Sequence, residues 1–525
     1  MIRTVGKTYV VGSGIGSLAA AAFMIRDGGV PGDTISIFEA ASSVGGSLDA
    51  AGDPSLGYSL RGGRMFTTDN YECTWDLFKS IPSLHNAAKT VFEETVEFNE
   101  MYPSYAKARL IDRRRAKVDV KSMGFSMRDR RALLKLSNAD EDSLGADRIT
   151  DWLPESFFDT AFWYMWATTF AFQPWHSAVE FKRYLHRFML EFSRIDTLAG
   201  VKRTIYNQYD SLVLPLVKWL KARGVHFVTG CRVTALDHVT NDDQVFLVAL
   251  HLSRKIEGEE IIALQDQDLV YVQNGSMTDA SSIGSMTSAP AKRTKADSAG
   301  WALWERLAHG RPRFGNPAVF NSCIAQSWWE SFTVTLKDPA FFGEVTQLTG
   351  NQPGTGGLIT FKDSNWLLSI VLPHQPHFID QPEDVQVFWG YSLFPDRIGN
   401  FVAKPMAECT GKNILAEICG HLRFDPETVA SAICIPCRMP YITSMFMPRS
   451  RGDRPPPVPA GSRNLAFISQ FVEIADDVVF TVEYSVRAAQ IAVYQLLGIE
   501  RAIPAITPHD KSFTTQLDTL IKAFS

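Results

Sequence analysis

A glycine-rich turn near the start of the chain constrains its fold more than any other feature. Residues 7–11 read as a short buried strand, residues 12–17 (Gly-Ser-Gly-Ile-Gly-Ser) as a turn, and residues 18–26 as an Ala-rich helix. A second strand follows at residues 34–38 and ends beside the acidic Glu39. This order of strand, turn, helix and strand is the setting in which a G-x-G-x-x-G turn binds a dinucleotide. The start of the chain therefore predicts a nucleotide-binding β-α-β unit.

Each position of the turn has a physical role in such a unit. Gly12 permits the tight turn, and Gly14 lets the backbone approach a pyrophosphate. Ser17 stands where a third glycine is usual, and it is small enough for the helix to pack closely on the strand. The helix that follows Ile15 offers free N–H groups to phosphates, and Glu39 is placed to bind ribose hydroxyls. The alternative is a glycine-rich turn that binds no nucleotide.

The residues after this unit favour FAD over NAD. The stretches Gly45-Gly46-Ser47-Leu48 and Arg61-Gly62-Gly63-Arg64 follow in order, which resembles the continuation in FAD enzymes related to amine oxidases and phytoene desaturases. The glycines let the chain run beside the cofactor, and the two arginines suit phosphate charge, although each is equally compatible with a solvated surface position. Beyond the turn and its acid, the expected cofactor contacts are Gly46, Ser47, Arg61, Gly63, Arg64, Val233, Asn274 and Ser276.

Later segments return the chain to the same sheet. Short apolar strands are predicted at residues 225–228, 268–272 and 464–469, and a long helix at residues 481–497. We therefore predict an α/β protein with a FAD-binding Rossmann-like domain of the amine oxidase/phytoene desaturase type, a discontinuous substrate domain and a helical cap. The predicted divisions are a FAD-binding domain of residues 1–75, 201–300 and 460–503, a helical cap with part of the substrate region at 76–200, a substrate-binding domain at 301–459 and a C-terminal amphipathic helix at 504–525.

Composition argues against several other classes of protein. Lys and Arg total 52 and Asp and Glu total 57, so the net charge is −5 and the chain has no basic footprint for nucleic acid. Seven cysteines suggest no disulfide framework and favour a cytoplasmic location. Cys434 and Cys437 form a lone C-x-x-C motif, and no metal is predicted from it. The first residues lack the pattern of a signal peptide, and no run of about 18 apolar residues predicts a membrane span.

Several stretches, taken together, match one family pattern across nearly the whole chain. They are residues 61–64 (RGGR), 71–78 (YECTWDLF), 80–84 (SIPSL), 181–188 (FKRYLHRF), 206–212 (YNQYDSL), 274–279 (NGSMTD), 356–366 (GGLITFKDSNW), 375–378 (QPHF), 388–391 (FWGY) and 439–444 (MPYITS). In this order they resemble the oleate hydratases, also called the myosin-cross-reactive antigen family.

This resemblance implies a hydro-lyase that acts on oleate and related long-chain unsaturated fatty acids. Members of the family add water to the cis-9 double bond of oleate and give 10-hydroxystearate, and they need FAD although no net electron transfer occurs. The family's proton-donating tyrosine falls on Tyr184. The spacing of Phe181, Tyr184, Leu185 and Phe188 puts this residue on the apolar face of a helix. Without the resemblance, a buried tyrosine with an ordinary structural hydrogen bond is the simpler interpretation.

Two positions depart from the family pattern. Met65 stands where the family has a glutamate that orients or activates the water, and methionine cannot accept a proton. Asp69 and Glu72 are the nearest carboxylates in sequence, but neither is an evident substitute. The family commonly has Thr-x-Asn for the fatty acid carboxylate where this chain has Val371-Leu372-Pro373-His374. The predicted substrate contacts are His374, Gln375, Val371 and Thr443, although His374 is also compatible with a surface position.

Two other functions are compatible with the sequence. One is a flavin-dependent oxidoreductase or isomerase of the amine oxidase/desaturase type that acts on a lipid, and the other is a lipid-binding flavoprotein without catalysis. A hydratase adds the mass of one water to its lipid and consumes no oxygen, which separates it from both.

The C-terminal residues form an amphipathic pattern. Phe513, Leu517, Leu520, Ile521 and Phe524 fall on one helical face. This pattern predicts either peripheral membrane contact or packing of the helix on its own protein or on a partner subunit. The protein is predicted to be a monomer or a homodimer.

Overall fold

The structure is a computed structural model that describes residues 3–241, 244–254, 258–355 and 357–524. Gly356, which opens one of the stretches quoted above, lies outside the described residues. The strands are β1 (Thr8–Val11), β2 (Ile35–Glu39), β3 (Ala50–Asp53), β4 (Gly57–Leu60), β5 (Leu110–Ile111), β6 (His226–Thr229), β7 (Cys231–Asn241), β8 (Gln244–Arg254), β9 (Gly258–Ala263), β10 (Leu269–Val272), β11 (Ser282–Ile283), β12 (Trp329–Leu336), β13 (Leu358–Phe361), β14 (Leu368–Val371), β15 (Gln386–Ser392), β16 (Ile433–Met439) and β17 (Leu465–Phe467). The α-helices are α1 (Ile15–Arg26), α2 (Glu72–Phe78), α3 (Val91–Met101), α4 (Met127–Asn138), α5 (Glu141–Leu144), α6 (Ile149–Trp152), α7 (Ala161–Phe170), α8 (Ala178–Arg187), α9 (Met189–Phe192), α10 (Leu214–Lys221), α11 (Ala302–Ala308), α12 (Ala318–Asn321), α13 (Ile324–Ser327), α14 (Ala340–Thr349), α15 (Gly411–Leu422), α16 (Val482–Leu497) and α17 (Phe513–Phe524).

A five-stranded parallel sheet forms around the glycine-rich turn. Its order is β17-β10-β1-β2-β6, and β1 pairs with β2 and β10 along its whole length. All residues of β10 are buried, as expected for a parallel strand that is covered on both faces. Helices α1 and α16 pack against each other and against this sheet. The sheet thus joins segments from both ends of the chain, while the residue boundaries of the predicted domains stay a prediction.

The predicted elements of this unit are present with small shifts. The first helix starts at Ile15 because Gly14 has an extended backbone and serves as its N-cap. Helix α10 is preceded by a π-helical turn, Tyr209–Val213. Pro215 lies in the first turn of α10 and has no N–H to donate to a carbonyl of the preceding turn. The missing hydrogen bond coincides with this departure from a regular α-helix.

A seven-stranded sheet forms the second layer of strands. Its order is β11-β16-β12-β15-β14-β13-β5, and its pairs are antiparallel except that of β13 with β5. Trp329 and Trp389 lie in β12 and β15, whereas Trp328 and Trp366 lie outside strands. Phe332 and other side chains on one face pack into an apolar core that is separate from the main one.

One buried carboxyl group in this sheet has no hydrogen-bond partner. Glu330 of β12 is 0% exposed, and both of its carboxylate oxygens lack a partner among the described residues. Burial raises the pKa of Glu330 to about 8, an effect that the charge of Arg438 only partly offsets. The folded protein therefore keeps this proton at pH values where the unfolded chain has lost it.

We expect Glu330 to reduce stability as the pH rises. Between the ordinary pKa of 4.5 and about 8, only the unfolded chain is ionised at this group, so the free energy of unfolding falls by on the order of a few kcal/mol across this window. Glu330→Gln should remove this slope, whereas Glu408→Gln, at an exposed position, should retain it. Urea denaturation at about pH 5 and about pH 8 measures the difference. Equal slopes for Glu330→Gln and the wild type would contradict the expectation.

The Arg- and Pro-rich segment at residues 449–459 is anchored by buried ion pairs. Arg449 and Arg454 are buried and lie 2.8 and 3.0 Å from the carboxylate of Glu180 in α8. Although burial opposes it, Arg454 and Arg449 lower the pKa of Glu180 to about 2. This segment is therefore attached through its arginines to the helix that carries Tyr184.

Helices α2 to α9 occupy the region predicted as a helical cap. Aromatic side chains of α7 and α8, including Phe162, Trp166 and Phe181, are buried in the main core. In the part of the chain that the structure describes, no helix combines the length and the apolar content that crossing a bilayer requires.

Candidate functional site

Three cavities adjoin one another in this fold. We name them the dinucleotide cleft, of about 270 Å³, the apolar cavity, of about 90 Å³, and the polar end pocket, of about 40 Å³. Arg64 lines all three, Phe480 lines the first two, and Met65 and Trp389 line the last two. The residues that define them are Gly14, Glu39 and Gln273 for the cleft, Tyr184, Phe188 and Glu191 for the apolar cavity, and Arg203, Gln208, His374 and His377 for the polar end pocket.

Glu39 ends β2 at the edge of the dinucleotide cleft. One of its carboxylate oxygens accepts hydrogen bonds from the N–H of Ser13 at 3.0 Å and from the Ser13 hydroxyl at 2.6 Å. The other oxygen accepts from the N–H of Ala41 at 2.8 Å. These bonds fix the acid beside the glycine-rich turn, where a dinucleotide site holds its ribose-binding carboxylate.

The glycines of the turn leave space for the side chain of Gln273, at the end of β10. A Cβ atom on Gly14 would lie 2.6 Å from Nε2 of Gln273, and one on Gly12 would lie 2.7 Å from its Oε1. The φ of Gly12 is +93°, which side-chain-bearing residues rarely adopt. The predicted Gly-Gly continuation also reaches this turn, because a Cβ atom on Gly46 would lie 3.0 Å from Cα of Gly14.

The groups around the cleft fit a dinucleotide. Helix α1 starts here with no side-chain cap and no acid in its first turn, so its first N–H groups remain available to phosphate. The guanidinium of Arg64 donates only to backbone oxygens among the described residues, those of Ser47, Gly62 and Gly63, each at 3.3 Å. Burial lowers the pKa of Arg64 to about 10. A buried cation without an acidic partner is costly, so this position suits an anionic group.

Most of the predicted cofactor residues lie around the cleft. Those that line it are Gly12, Gly14, Ile15, Glu39, Gly46, Ser47, Arg61, Arg64, Val233 and Ser276. Ser17 is buried within α1 outside the lining, and Gly63 lines the other two cavities. Asn274 is buried in the core, where its amide bonds to Ser469 and to the carbonyl of Phe471. Arg61 pairs with Asp49 at 2.6 Å.

Tyr184 borders the apolar cavity from α8. It is 1% exposed, and the rings of Phe170, Phe172 and Phe188 lie with centroids 4.9 to 5.4 Å from its own. Its hydroxyl donates a hydrogen bond to the carbonyl of Val479 at 2.6 Å. Burial raises the pKa of Tyr184 well above its ordinary value, so the group keeps its proton at neutral and moderately alkaline pH.

The segment that receives this hydrogen bond is held in an uncommon backbone conformation. Asp476 and Phe480 have φ values of +61° and +68°, which cost on the order of 1–3 kcal/mol each and persist only where the surroundings enforce them. Asp477 accepts ion-pair contacts from Arg187 at 3.2 Å and from Arg487 at 3.0 Å. Because α8 carries both Tyr184 and Arg187, the same helix is fixed to this segment twice. The segment places Phe480 between the dinucleotide cleft and the apolar cavity.

Met65 lies where the apolar cavity meets the polar end pocket. Its carbonyl accepts a hydrogen bond from the hydroxyl of Tyr71 at 3.0 Å. The next residue, Phe66, forms a backbone bridge with Lys202. Asp69 and Glu72, the nearest carboxylates in sequence, do not line either cavity. Glu191 of α9 is the only carboxylate among the described residues that line the apolar cavity.

The polar end pocket contains two buried polar atoms without partners. Nη2 of Arg203 and Nε2 of His377 have no hydrogen-bond partner among the described residues. Arg203 donates through Nη1 to the hydroxyl of Ser104 at 2.6 Å and to the carbonyl of Gly354 at 3.0 Å. Burial lowers the pKa of Arg203 to about 10 and that of His377 to about 3. At neutral pH the pocket therefore contains the cationic guanidinium groups of Arg64 and Arg203 and, at His377, a neutral imidazole.

The predicted substrate residues separate into two groups. Val371 and His374 line the polar end pocket, and the ring of His374 packs on Phe98 and Tyr102. Gln375 lies outside it, because its amide bonds to Pro373, Gln381 and Val387. Thr443 is buried outside all three cavities.

Some residues of the site were not predicted. These are Glu191, Arg203, Gln208, Gln273, His377 and Phe480. Glu191 carried a sequence signal, because it follows Tyr184 by seven positions, or two helical turns. Arg203 carried none, because an isolated arginine before Tyr206 has no pattern that separates it from a surface residue.

The C-x-x-C pair is divided between two cores. Cys434 packs into the separate core beside the seven-stranded sheet, whereas Cys437 belongs to the main core. The two thiols therefore point to opposite faces of β16 and cannot meet around one ion. Within the described ranges, no cluster of three or more His, Cys, Asp or Glu side chains is arranged to hold a metal.

Comparison with known proteins gives a family and a fold. A family model described as "MCRA family" matches residues 6–494. The chain is 39% identical over 534 residues to an oleate hydratase of Streptococcus pyogenes serotype M49 (strain NZ131), covering 99% of this chain and 89% of that protein. It is 33% identical over 561 residues to a linoleate hydratase of Lactiplantibacillus plantarum, covering 99% of this chain and 98% of that protein.

Solved structures share the architecture at low identity. Cyclohexylamine oxidase from Brevibacterium oxydans IH-35A superimposes with a TM-score of 0.53 at 12% identity, covering 95% of this chain and 100% of that one. The predicted fold class, an α/β protein with a Rossmann-like domain in the architecture of an amine oxidase, is confirmed.

Proposed function

The chain belongs to the MCRA family, and from this premise we propose that it hydrates the cis-9 double bond of oleic acid and related unsaturated fatty acids to 10-hydroxy fatty acids. Its relatives named oleate hydratase and linoleate hydratase make it an enzyme of the hydro-lyase class. The cofactor that we propose is FAD, held by the residues that line the dinucleotide cleft. Bound flavin would contribute shape and charge to the site, since hydration transfers no electrons.

One observation carries the proposal. A tyrosine that keeps its proton, Tyr184, borders an apolar cavity that lies between the dinucleotide cleft and a pocket with a buried cation. An alkene needs apolar walls and a proton donor, and a fatty acid needs a counter-charge for its carboxylate. The apolar cavity supplies the walls and the proton donor, and the polar end pocket supplies the counter-charge.

The proposed chemistry uses the hydroxyl of Tyr184 as a general acid. Its proton passes to one alkene carbon while the oxygen of a water molecule bonds to the other. The hydrogen bond to the carbonyl of Val479 holds the hydroxyl at one position, and the surrounding phenylalanine rings exclude bulk water. The acceptor is a neutral carbonyl and not an anion. The hydroxyl of Tyr184 is therefore held in place, and its proton can still leave this hydrogen bond to reach the alkene.

The reaction is tested by product analysis. Purified protein with FAD and oleate in water labelled with ¹⁸O should give a hydroxy fatty acid with one labelled oxygen, without oxygen uptake. Oxygen consumption with an unlabelled product would support the oxidoreductase alternative. Retention of oleate without any product would support the non-catalytic, lipid-binding alternative.

The polar end pocket is proposed to hold the fatty acid carboxylate. Nη2 of Arg203 and Nε2 of His377 line one small space and have no partner among the described residues. The Arg203 guanidinium offers a positive charge and N–H donors to a carboxylate, whereas the stretch from Val371 to His374 lacks the hydroxyl and amide donors of the family's Thr-x-Asn. A charge-assisted hydrogen bond of this kind contributes roughly 1.5–3 kcal/mol.

Arg203→Met should therefore weaken fatty acid binding. We expect KM for oleate to rise by about 10-fold or more, with a smaller change in kcat. The wild type should prefer oleate to its methyl ester, and the variant should lose this preference because the charge that reads the carboxylate is gone. Lys202→Met removes the neighbouring cation, which lies outside the polar end pocket, and serves as the control. An unchanged preference in Arg203→Met would contradict this assignment.

A peripheral membrane contact is proposed for α17. Its apolar residues point outward, with exposed fractions of 75% for Phe513, 61% for Ile521 and 58% for Phe524. The opposite face attaches the helix to the protein through the buried Thr515 and the ion pair of Lys522 with Asp196 at 2.7 Å.

The neighbouring helix α4 adds charge and apolar surface to the same region. Arg130 of α4 donates to the carbonyl of Ala523 at 2.8 Å. This helix exposes Met127 and Leu134 together with basic residues. An apolar helical face beside basic side chains suits an anionic lipid surface.

Replacing apolar residues of α17 should reduce this contact. Leu517→Ser, Leu520→Ser and Ile521→Ser together should lower co-sedimentation with phosphatidylglycerol vesicles, while hydration of dispersed oleate continues. The same substitutions at Leu56 and Ile261, which are exposed elsewhere, should leave it unchanged. Equal sedimentation of both variants and the wild type would rule out α17 as the contact. The cytoplasmic location and the oligomeric state stay predictions.

A further inference from the structure

The apolar cavity has a defined place for a proton acceptor. Glu191 of α9 is 4% exposed and follows Tyr184 along the same wall, with Phe188 between them. The hydroxyl groups of the lining, such as those of Thr67 and Ser331, accept protons far less readily than a carboxylate, and the arginine and tryptophan N–H groups only donate hydrogen bonds.

The carboxylate of Glu191 is fixed by its neighbours. Arg194 donates to it through Nη2 at 2.6 Å and through Nε at 3.2 Å. A Cβ atom on Gly200 would lie 2.2 Å from Oε1 of Glu191, so the absence of a side chain at position 200 makes room for the acid. The two hydrogen bonds from Arg194 orient the carboxylate, and each oxygen retains a lone pair for water.

This carboxylate lies in the same region of the fold as the Met65 segment. Val201, next to Gly200, also lines the apolar cavity, and Lys202 bridges to Phe66. Asp69 lies 3.9 Å from the guanidinium of Arg194. Glu191 therefore supplies a carboxylate near the Met65 segment, although position 65 itself carries a methionine.

We propose that Glu191 is the catalytic residue that holds the attacking water and accepts its proton, an inference that rests on the proposed hydration. Tyr184 gives its proton to one alkene carbon, the water oxygen bonds to the other carbon, and the water proton passes to Glu191. The proton then returns from the carboxyl group of Glu191 to the tyrosinate, which restores both groups. The balance is one alkene and one water consumed and one alcohol formed, with no electron gained or lost.

The test compares Glu191→Gln with the wild type in steady-state hydration of oleate. Loss of a proton acceptor should lower kcat by about 10²–10⁴-fold, while KM, flavin content and thermal stability change little. Glu191→Asp keeps the charge at a shorter reach and should recover part of the rate. Glu155→Gln, which removes an exposed carboxylate outside the cavities, should behave as the wild type.

The pH profile separates a chemical role from a structural one. The wild type and Arg194→Gln, which retain the carboxylate, should lose activity at acid pH, and Glu191→Gln should lack this acid limb. A kcat for Glu191→Gln close to that of the wild type, or an acid limb that persists in it, would overturn the inference while leaving the hydratase in place. If Glu191→Gln does not fold, Glu191→Asp provides the test. A kcat equal to that of the wild type, together with an unshifted acid limb, would then overturn the inference about Glu191. A wild type that forms no hydroxy acid would instead reject the proposed function itself.

Discussion

Tyr184→Phe is expected to lose most of the hydration activity. Removing a general acid costs about 10²–10⁴-fold in rate, and phenylalanine fills the same space among Phe170, Phe172 and Phe188 without a proton to give. Flavin binding should be retained, because Tyr184 does not line the dinucleotide cleft. Single-turnover conversion of oleate measures the loss, and flavin absorbance measures the occupancy.

Tyr71→Phe is the matched control for this substitution. Tyr71 lines the same cavity and also donates its hydroxyl to a backbone carbonyl, that of Met65. Both variants therefore lose one hydrogen bond, worth about 1 kcal/mol, but only one loses the proposed acid. Equal activities in the two variants would remove Tyr184 from the mechanism, and a loss confined to Tyr71→Phe would transfer the role.

The alkaline side of the pH profile gives a further check on the same residue. An ordinary tyrosine ionises near pH 10, and burial raises the pKa of Tyr184 well above that value. The raised pKa means that the donor stays protonated as the pH rises, so its ionisation should not reduce the rate below about pH 10.

Gly14→Val is expected to abolish flavin binding. The backbone at Gly14 is extended, so valine is compatible with its conformation, but a Cβ atom there already lies 2.6 Å from the amide of Gln273. The side chain would therefore displace Gln273 and cover the N–H groups at the start of α1 that are available to phosphate. Flavin absorbance per protein after gel filtration is the measurement.

Gly343→Val is the control for a general effect of adding a side chain. Gly343 lies in α14, and a Cβ atom there meets nothing within 4 Å. This variant should bind flavin as the wild type does. Full flavin occupancy in Gly14→Val would contradict the assignment of the glycine-rich turn to the cofactor.

Local pattern was sufficient to predict the nucleotide unit. The order of strand, turn and helix at residues 8–26 and the acid Glu39 depend on neighbours within one β-α-β unit. Hydrogen bonds, glycine conformations and helix termini act over such short distances. The same holds for α17, whose amphipathic face follows from helical spacing alone.

Contacts between distant segments could not be derived in this way. Asn274 follows β10 as a turn near the cofactor should, yet its amide is used by Ser469 and Phe471, nearly two hundred residues later. The amide of Gln375 is likewise used by the backbone of Val387 in β15. Whether a polar side chain faces a cavity or satisfies a buried backbone group depends on the packing around it.

The sequence by itself determined the fold class, the glycine-rich turn with its acid and the family to which the chain belongs. Only the tertiary structure decided that Tyr184 and Glu191 border one cavity, that Arg203 and His377 present to another cavity nitrogen atoms without a partner among the described residues, and that the apolar face of α17 points outward. The physical reason is that propensity and periodicity are local, whereas burial and charge pairing are set by chain segments that meet only after folding.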